Sequence, residues 1–144
     1  MIKNHLILFC VCFAIKLVIV SSEDIDWTTV HDELRKLAGG LRKKCTAETG
    51  TTIETLDAVE LGDFPDDEKL ACYFKCVMEK AGVMKKDGKI NYKMLSKMMP
   101  AAFRHIGNEM LDECRNIEGK DKCEKAYSFN KCMYNANPVA FFAV

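Results

Sequence analysis

The sequence predicts an all-α fold, a single small domain cross-linked by disulfides. Three observations carry that reading. Apolar residues recur at spacings of three and four through successive segments, capping residues, glycines and prolines divide those segments at helical lengths, and an even set of cysteines follows an apolar leader. The leader comes first in the chain. Lys3 and His5 precede ten apolar residues at 6–15, and Val20-Ser21-Ser22 supplies the small residues that suit a signal peptidase. A membrane span needs about 20 apolar residues, and Lys16 splits this stretch well short of that length. Residues 1–22 are therefore expected to leave as a signal peptide, with 23–144 forming one domain outside the cell.

Losing Lys3 and Lys16 leaves 19 basic against 21 acidic side chains, so the exported domain is slightly acidic. A nucleic-acid partner is not expected of such a surface. Cys10 and Cys12 also leave, and the remaining six cysteines would meet an oxidising compartment, where disulfides form.

The first helix is predicted from Trp27 to Cys45, because Val30, Leu34, Leu37 and Leu41 make one apolar stripe between His31, Asp32, Arg35 and Lys36. Glycine costs about 1 kcal/mol relative to alanine inside a helix, so Gly39-Gly40 is expected to kink or end it early. Thr51 and Thr52 then offer a cap to a short helix carrying Ile53, Leu56 and Val59, ended by Gly62. The third helix is signalled by Pro65 and the acidic Asp66, Asp67 and Glu68 at its start, and by Lys80 and Gly82 at its end. Its stripe of Leu70, Tyr73, Phe74, Val77, Met78 and Ala81 is wider than contact with one neighbour requires. Lys85-Lys86-Asp87-Gly88 reads as a turn, followed by a short helix at 92–99 that Pro100 stops. Helices at about 102–116 and 121–135, separated by Gly119, complete the chain.

Geometry limits how the cysteines can pair. Cys72 and Cys76 lie four apart on one helix face, with Cβ atoms about 5–6 Å apart, whereas a disulfide needs about 3.5–4.5 Å. Each must therefore reach a different element, which makes the third helix a hub. Cys123 and Cys132 lie about 13.5 Å apart along one predicted helix and cannot join either. Of the fifteen pairings six cysteines allow, these exclusions leave ten. Zinc ligation by Cys72 and Cys76 is set aside, because no further close Cys or His pair completes a four-ligand set.

The spacing Cys45-x26-Cys72-x3-Cys76-x37-Cys114-x8-Cys123-x8-Cys132 resembles the six-cysteine signature of the insect pheromone and general odorant-binding proteins. Gly62-Asp63-Phe64-Pro65-Asp66-Asp67, the block Cys72-Tyr73-Phe74-Lys75-Cys76 and the turn Lys86-Asp87-Gly88-Lys89 are similar to family members too. The resemblance covers nearly all of 23–144. It implies a compact six-helix domain around an apolar cavity, with disulfides Cys45–Cys76, Cys72–Cys123 and Cys114–Cys132. It further implies a non-enzymatic carrier of odorants or pheromones, secreted into sensillar lymph or haemolymph, that delivers its cargo to membrane odorant receptors. Two other readings stay open: a carrier of lipids, hormones or pheromones outside olfaction, and a disulfide-stapled defence or toxin protein acting by surface contact.

Seven methionines after the leader offer flexible, polarizable side chains suited to an adaptable apolar surface. The candidate ligand-binding residues are Phe74 and Met78 on the hub helix and Leu95, Met98 and Met99 on the short helix. Tyr127 is expected to orient a ligand's polar end through its hydroxyl. The tail Val139-Ala140-Phe141-Phe142-Ala143-Val144 is unusually apolar for a terminus. In the resembling family such a segment folds back as a cavity wall, so Phe141 and Phe142 are expected to line the pocket; the rivals are a homodimer contact or a loose tail. No cofactor and no metal are expected. A calcium loop with Gly88 sixth would place Val83, Lys85 and Met94 at ligand positions, and no nucleophile, base and orienting group can be assembled into an enzyme site. His31-Asp32 alone does not make a phospholipase. His105, near a helix start, is a candidate pH-sensitive group against the plainer reading of a surface histidine.

Overall fold

The computed structural model describes residues 25–144, and the leader expected at 1–22 lies outside the described residues. Six helices follow in order: α1 Trp27–Thr49, α2 Ile53–Glu60, α3 Glu68–Lys80, α4 Tyr92–Met98, α5 Arg104–Glu113 and α6 Lys122–Ala136. Among the described residues there is no named strand, only an isolated antiparallel bridge between Met84 and Ile90 across the predicted turn.

Side-chain oxygens begin five of the helices, each accepting from a first-turn N–H that has no partner inside the helix. Asp26 caps α1 through Thr28 and Thr29, Thr52 caps α2 through Thr55, and Asp67 caps α3 through Lys69. Asn91 caps α4 through Met94, and Asp121 caps α6 through Glu124, whose own carboxylate accepts from the N–H of Lys120 at 2.6 Å. The third helix thus starts at Glu68 with Asp67 as its cap. Pro65 and Asp66 belong to the entering loop.

The expected break at Gly39-Gly40 is absent, and α1 continues four residues beyond Cys45. Both glycines face open space, so nothing competes with their helical conformation. Burial of Val30, Ala38 and Cys45 on one face outweighs the propensity cost of about 1 kcal/mol per glycine. α1 ends instead at Gly50, whose φ of 75° is the left-handed conformation that lets its N–H cap the carbonyl of Thr46. α5 is shorter than expected. Just past its end the Tyr92 hydroxyl lies 3.0 and 2.9 Å from the carbonyl oxygens of Cys114 and Arg115, which have no partner inside the helix.

α3 is the centre of the fold and packs most extensively on α6 and then on α1. Its Leu70, Tyr73, Phe74, Val77 and Met78 are buried, as the wide stripe predicts, and so is Cys76, while Ala81 at the end of the stripe is partly buried. The disulfides Cys45–Cys76, Cys72–Cys123 and Cys114–Cys132 join α1 to α3, α3 to α6, and the end of α5 to α6. They close loops spanning 31, 51 and 18 residues, each stabilising the fold by about 3–4 kcal/mol on the chain-entropy account.

Candidate functional site

Between these helices lies an apolar cavity of about 230 Å³. Leu34, Leu37, Ala38 and Leu41 of α1 form one side, and Phe74, Val77 and Met78 of α3 form another. Leu95, Met98 and Met99 come from α4 and the residue after it, Phe103 and Met110 from the residue before α5 and from α5, and Phe129, Asn130 and Met133 from α6. None of the lining side chains is titratable, and Asn130 is the polar one. Leu37 and Met98 remain 73% and 46% exposed, which marks where the cavity meets solvent.

The last wall is the chain's own C-terminal segment. Asn137 turns it back, its Oδ1 accepting from the N–H of Ala140 at 3.1 Å and its carbonyl from the N–H of Phe141 at 3.0 Å. Ala140, Phe141 and Ala143 are buried, and Ala140, Phe141, Phe142 and Val144 line the cavity. Phe141 packs on Phe64 and Tyr134, with ring centroids 6.0 and 5.6 Å away. The Arg35 guanidinium sits 5.4 Å over the Phe142 ring, a cation–π contact from α1, and the His31 ring lies 5.8 Å from the same ring. The Tyr73 hydroxyl donates to a main-chain oxygen of Val144. Burial pushes that hydroxyl up to about 12, so it remains a neutral donor throughout the physiological range.

Seven of the eight residues singled out from sequence therefore share one surface: Phe74, Met78, Leu95, Met98, Met99, Phe141 and Phe142. Tyr127 does not. Its hydroxyl donates to the carbonyl oxygen of Phe64 at 2.7 Å, its ring packs 6.0 Å from Phe64 and 6.4 Å from Phe74, and it faces an outer groove shared with Asp66 and Asp121. The proton expected to orient a ligand is held by the loop that leads into α3. Burial, and then the nearby Asp66 and Asp63, raises the Tyr127 hydroxyl above its ordinary range, which keeps that donor neutral. His105 is not among the lining residues either; it stands exposed beside Glu109 at 3.6 Å.

Of the seven methionines, Met78, Met98, Met99, Met110 and Met133 line the cavity; Met84 is buried elsewhere and Met94 is exposed. Sequence reasoning missed the contribution of α1, although Leu34, Leu37 and Leu41 were visible as its stripe. It also missed Asn130, whose signal was a polar residue set among Ala126, Phe129 and Met133 on the buried side of α6.

Comparison with known proteins agrees with this geometry. Residues 28–136 match the model of the PBP/GOBP family. General odorant-binding protein 72 of Anopheles gambiae is 32% identical over 118 residues, covering 78% of this chain and 97% of that protein. The solved structure of Apis mellifera odorant binding protein 5 is 37% identical, with a TM-score of 0.72 over 78% of this chain and 95% of its own. Odorant binding protein 7 of Anopheles gambiae, solved with four disulfide bridges and in complex with an azo compound, is 28% identical, with a TM-score of 0.65 over 78% of this chain and 97% of its own. On this sequence match, the helical architecture and the three disulfides, the chain belongs to the PBP/GOBP family, the insect odorant-binding proteins.

Proposed function

We propose that this chain is an extracellular carrier that binds small hydrophobic molecules, odorants or pheromones, reversibly in the cavity between its helices and delivers them to membrane chemoreceptors. The observation that carries this reading is the cavity itself, a space walled by apolar side chains and completed by a greasy tail that folds back to close it. Such a site offers a volatile apolar molecule what water does not, and it offers an attacking or proton-transferring group nothing to work with. The azo compound held by the mosquito relative is a small molecule of the same general kind. The leader at 1–22, removed on export, and the three disulfides support action in an oxidising compartment such as sensillar lymph or haemolymph.

Magnitudes favour reversible uptake. A ligand burying about 300 Å² gains at most about 7.5 kcal/mol at 25 cal/mol per Å², before the costs of association and ordering. That limit corresponds to a Kd of a few micromolar, weak enough for release. The test is fluorescence of N-phenyl-1-naphthylamine with the refolded chain 23–144, followed by displacement with a panel of volatile alcohols, esters and terpenes. Saturable uptake and competitive displacement are expected. Absence of any uptake would overturn the carrier reading and favour a protein acting through its surface, as a defence protein or toxin does.

A further inference from the structure

We infer that Asn130 makes the cavity selective for apolar molecules that carry a hydroxyl, by accepting a hydrogen bond from the ligand at Oδ1. The inference rests on the carrier reading above and names the chemical class that the cavity prefers. Asn130 is the polar residue among the lining side chains. Its amide has a fixed orientation: Nδ2 donates to the carbonyl oxygen of Ala126, one turn earlier, at 2.8 Å, and approaches the Met78 thioether sulfur at 3.8 Å. Rotating the amide by half a turn would set Oδ1 against the Ala126 carbonyl, two acceptors facing each other, and would forfeit the bond. With both amide hydrogens so directed, Oδ1 has no hydrogen-bond partner among the described residues.

Asn130 is half-buried on the wall of an otherwise apolar space, and an acceptor there without a protein partner discriminates by what it lacks. A ligand hydroxyl can donate to it, whereas an ether or hydrocarbon at the same place removes its access to water and returns nothing. The Tyr73 hydroxyl is used by Val144 and the Tyr127 hydroxyl by Phe64, and among the residues that line the cavity Asn130 has the polar side chain, the group placed to read a ligand's polar end.

The test compares nonan-1-ol with its methyl ether, two oxygen-bearing chains of which only the alcohol donates. Each displaces N-phenyl-1-naphthylamine from the wild-type chain, from Asn130→Leu and from Asn130→Ala, and the quantity read is the ratio of the two ligand affinities in each protein. A fall in the alcohol-to-ether ratio of about fivefold is expected in both variants, the size of one neutral hydrogen bond. Leucine and alanine are better helix formers than asparagine, and the alanine variant repeats the measurement with no added bulk should leucine disturb the fold. A ratio that stays within twofold of wild type in either folded variant would overturn the assignment of Asn130 while leaving the carrier reading intact. Failure of the wild-type chain to take up the probe would overturn both.

Discussion

The Tyr73 hydroxyl, midway along α3, donates to a main-chain oxygen of Val144, 71 residues further along the chain. One hydrogen bond from the hub helix thus fastens the segment that walls the cavity. Tyr73→Phe removes the donor and leaves that main-chain oxygen without its partner, so a loss of about 1–2 kcal/mol in urea unfolding is expected, with faster trimming of the C-terminus by carboxypeptidase. The chain has four tyrosines, and burial places Tyr73 at about 12. The folded value lies above the unfolded one near 10, so the contribution of Tyr73 is complete below pH 10 and is lost as pH rises towards 12. Absorbance titration at alkaline pH should show a late-ionising tyrosine that the phenylalanine variant lacks.

Removing the tail tests its part in the site more directly. A chain ending at Asn137 loses Ala140, Phe141, Phe142 and Val144 from the cavity wall. N-phenyl-1-naphthylamine affinity should fall by about tenfold or more, on the apolar area withdrawn from any bound molecule. Unchanged affinity would mean that the tail only covers the core.

Gly107 gives a way to change cavity shape from outside it. An added Cβ there would fall 3.2 Å from the ring of Phe103 and in steric collision with the Met99 sulfur, both lining groups. Gly107→Ala should displace the flexible Met99 side chain into the space ligand would use, weakening probe binding several-fold, while better helix propensity offsets part of the steric cost to stability. Pairing it with Met99→Ala should restore affinity. A Gly107→Ala protein that binds normally would show that Met99 can retreat elsewhere.

Gly39 is the opposite case. Nothing lies within 4 Å of a Cβ at that position and its backbone is helical, so Gly39→Ala should stabilise the chain by about 0.4–1 kcal/mol, read as a higher Tm.

Acid should loosen the junction of α3 and α6. Burial works to raise the Glu79 carboxyl, but hydrogen bonds from Lys122 at 2.6 Å and the ammonium of Lys75 at 3.3 Å outweigh it and hold the group below its ordinary 4.5. With the folded value below the unfolded one, the contribution is present above about pH 4.5 and lost as pH falls through the folded value. The Tm gap between wild type and Glu79→Gln should therefore be open at pH 7 and narrow as pH falls below 4.5.

Much of this was legible in sequence, for reasons that differ from element to element. The hub role of α3 followed from two cysteines that cannot meet each other, a local fact, and its stripe was wide because it faces both α6 and α1. Gly39-Gly40 misled because propensity is a small term beside burial along a long helix. Tyr127 misled because a hydroxyl on an amphipathic helix can turn to any nearby carbonyl, and only the docked loop at Phe64 decides which. Asn130 was passed over since a lone amide ordinarily signals a solvated face, and its neighbours reach it only when α6 settles on α3. The cavity itself was legible through family resemblance alone, because periodicity shows which residues are buried and says nothing of whether they touch.

Cys72 and Cys76 bracket Phe74, so the turn of α3 that floors the cavity is tied covalently on both sides, to α6 and to α1. The floor is fixed by those two bonds, whereas Leu37 and Met98 at the rim are largely exposed and Phe142 and Val144 of the tail are only partly buried. Such a division lets ligand preference drift through substitutions at the rim and the tail while the fold stays the same, so that one scaffold can serve many chemical tastes.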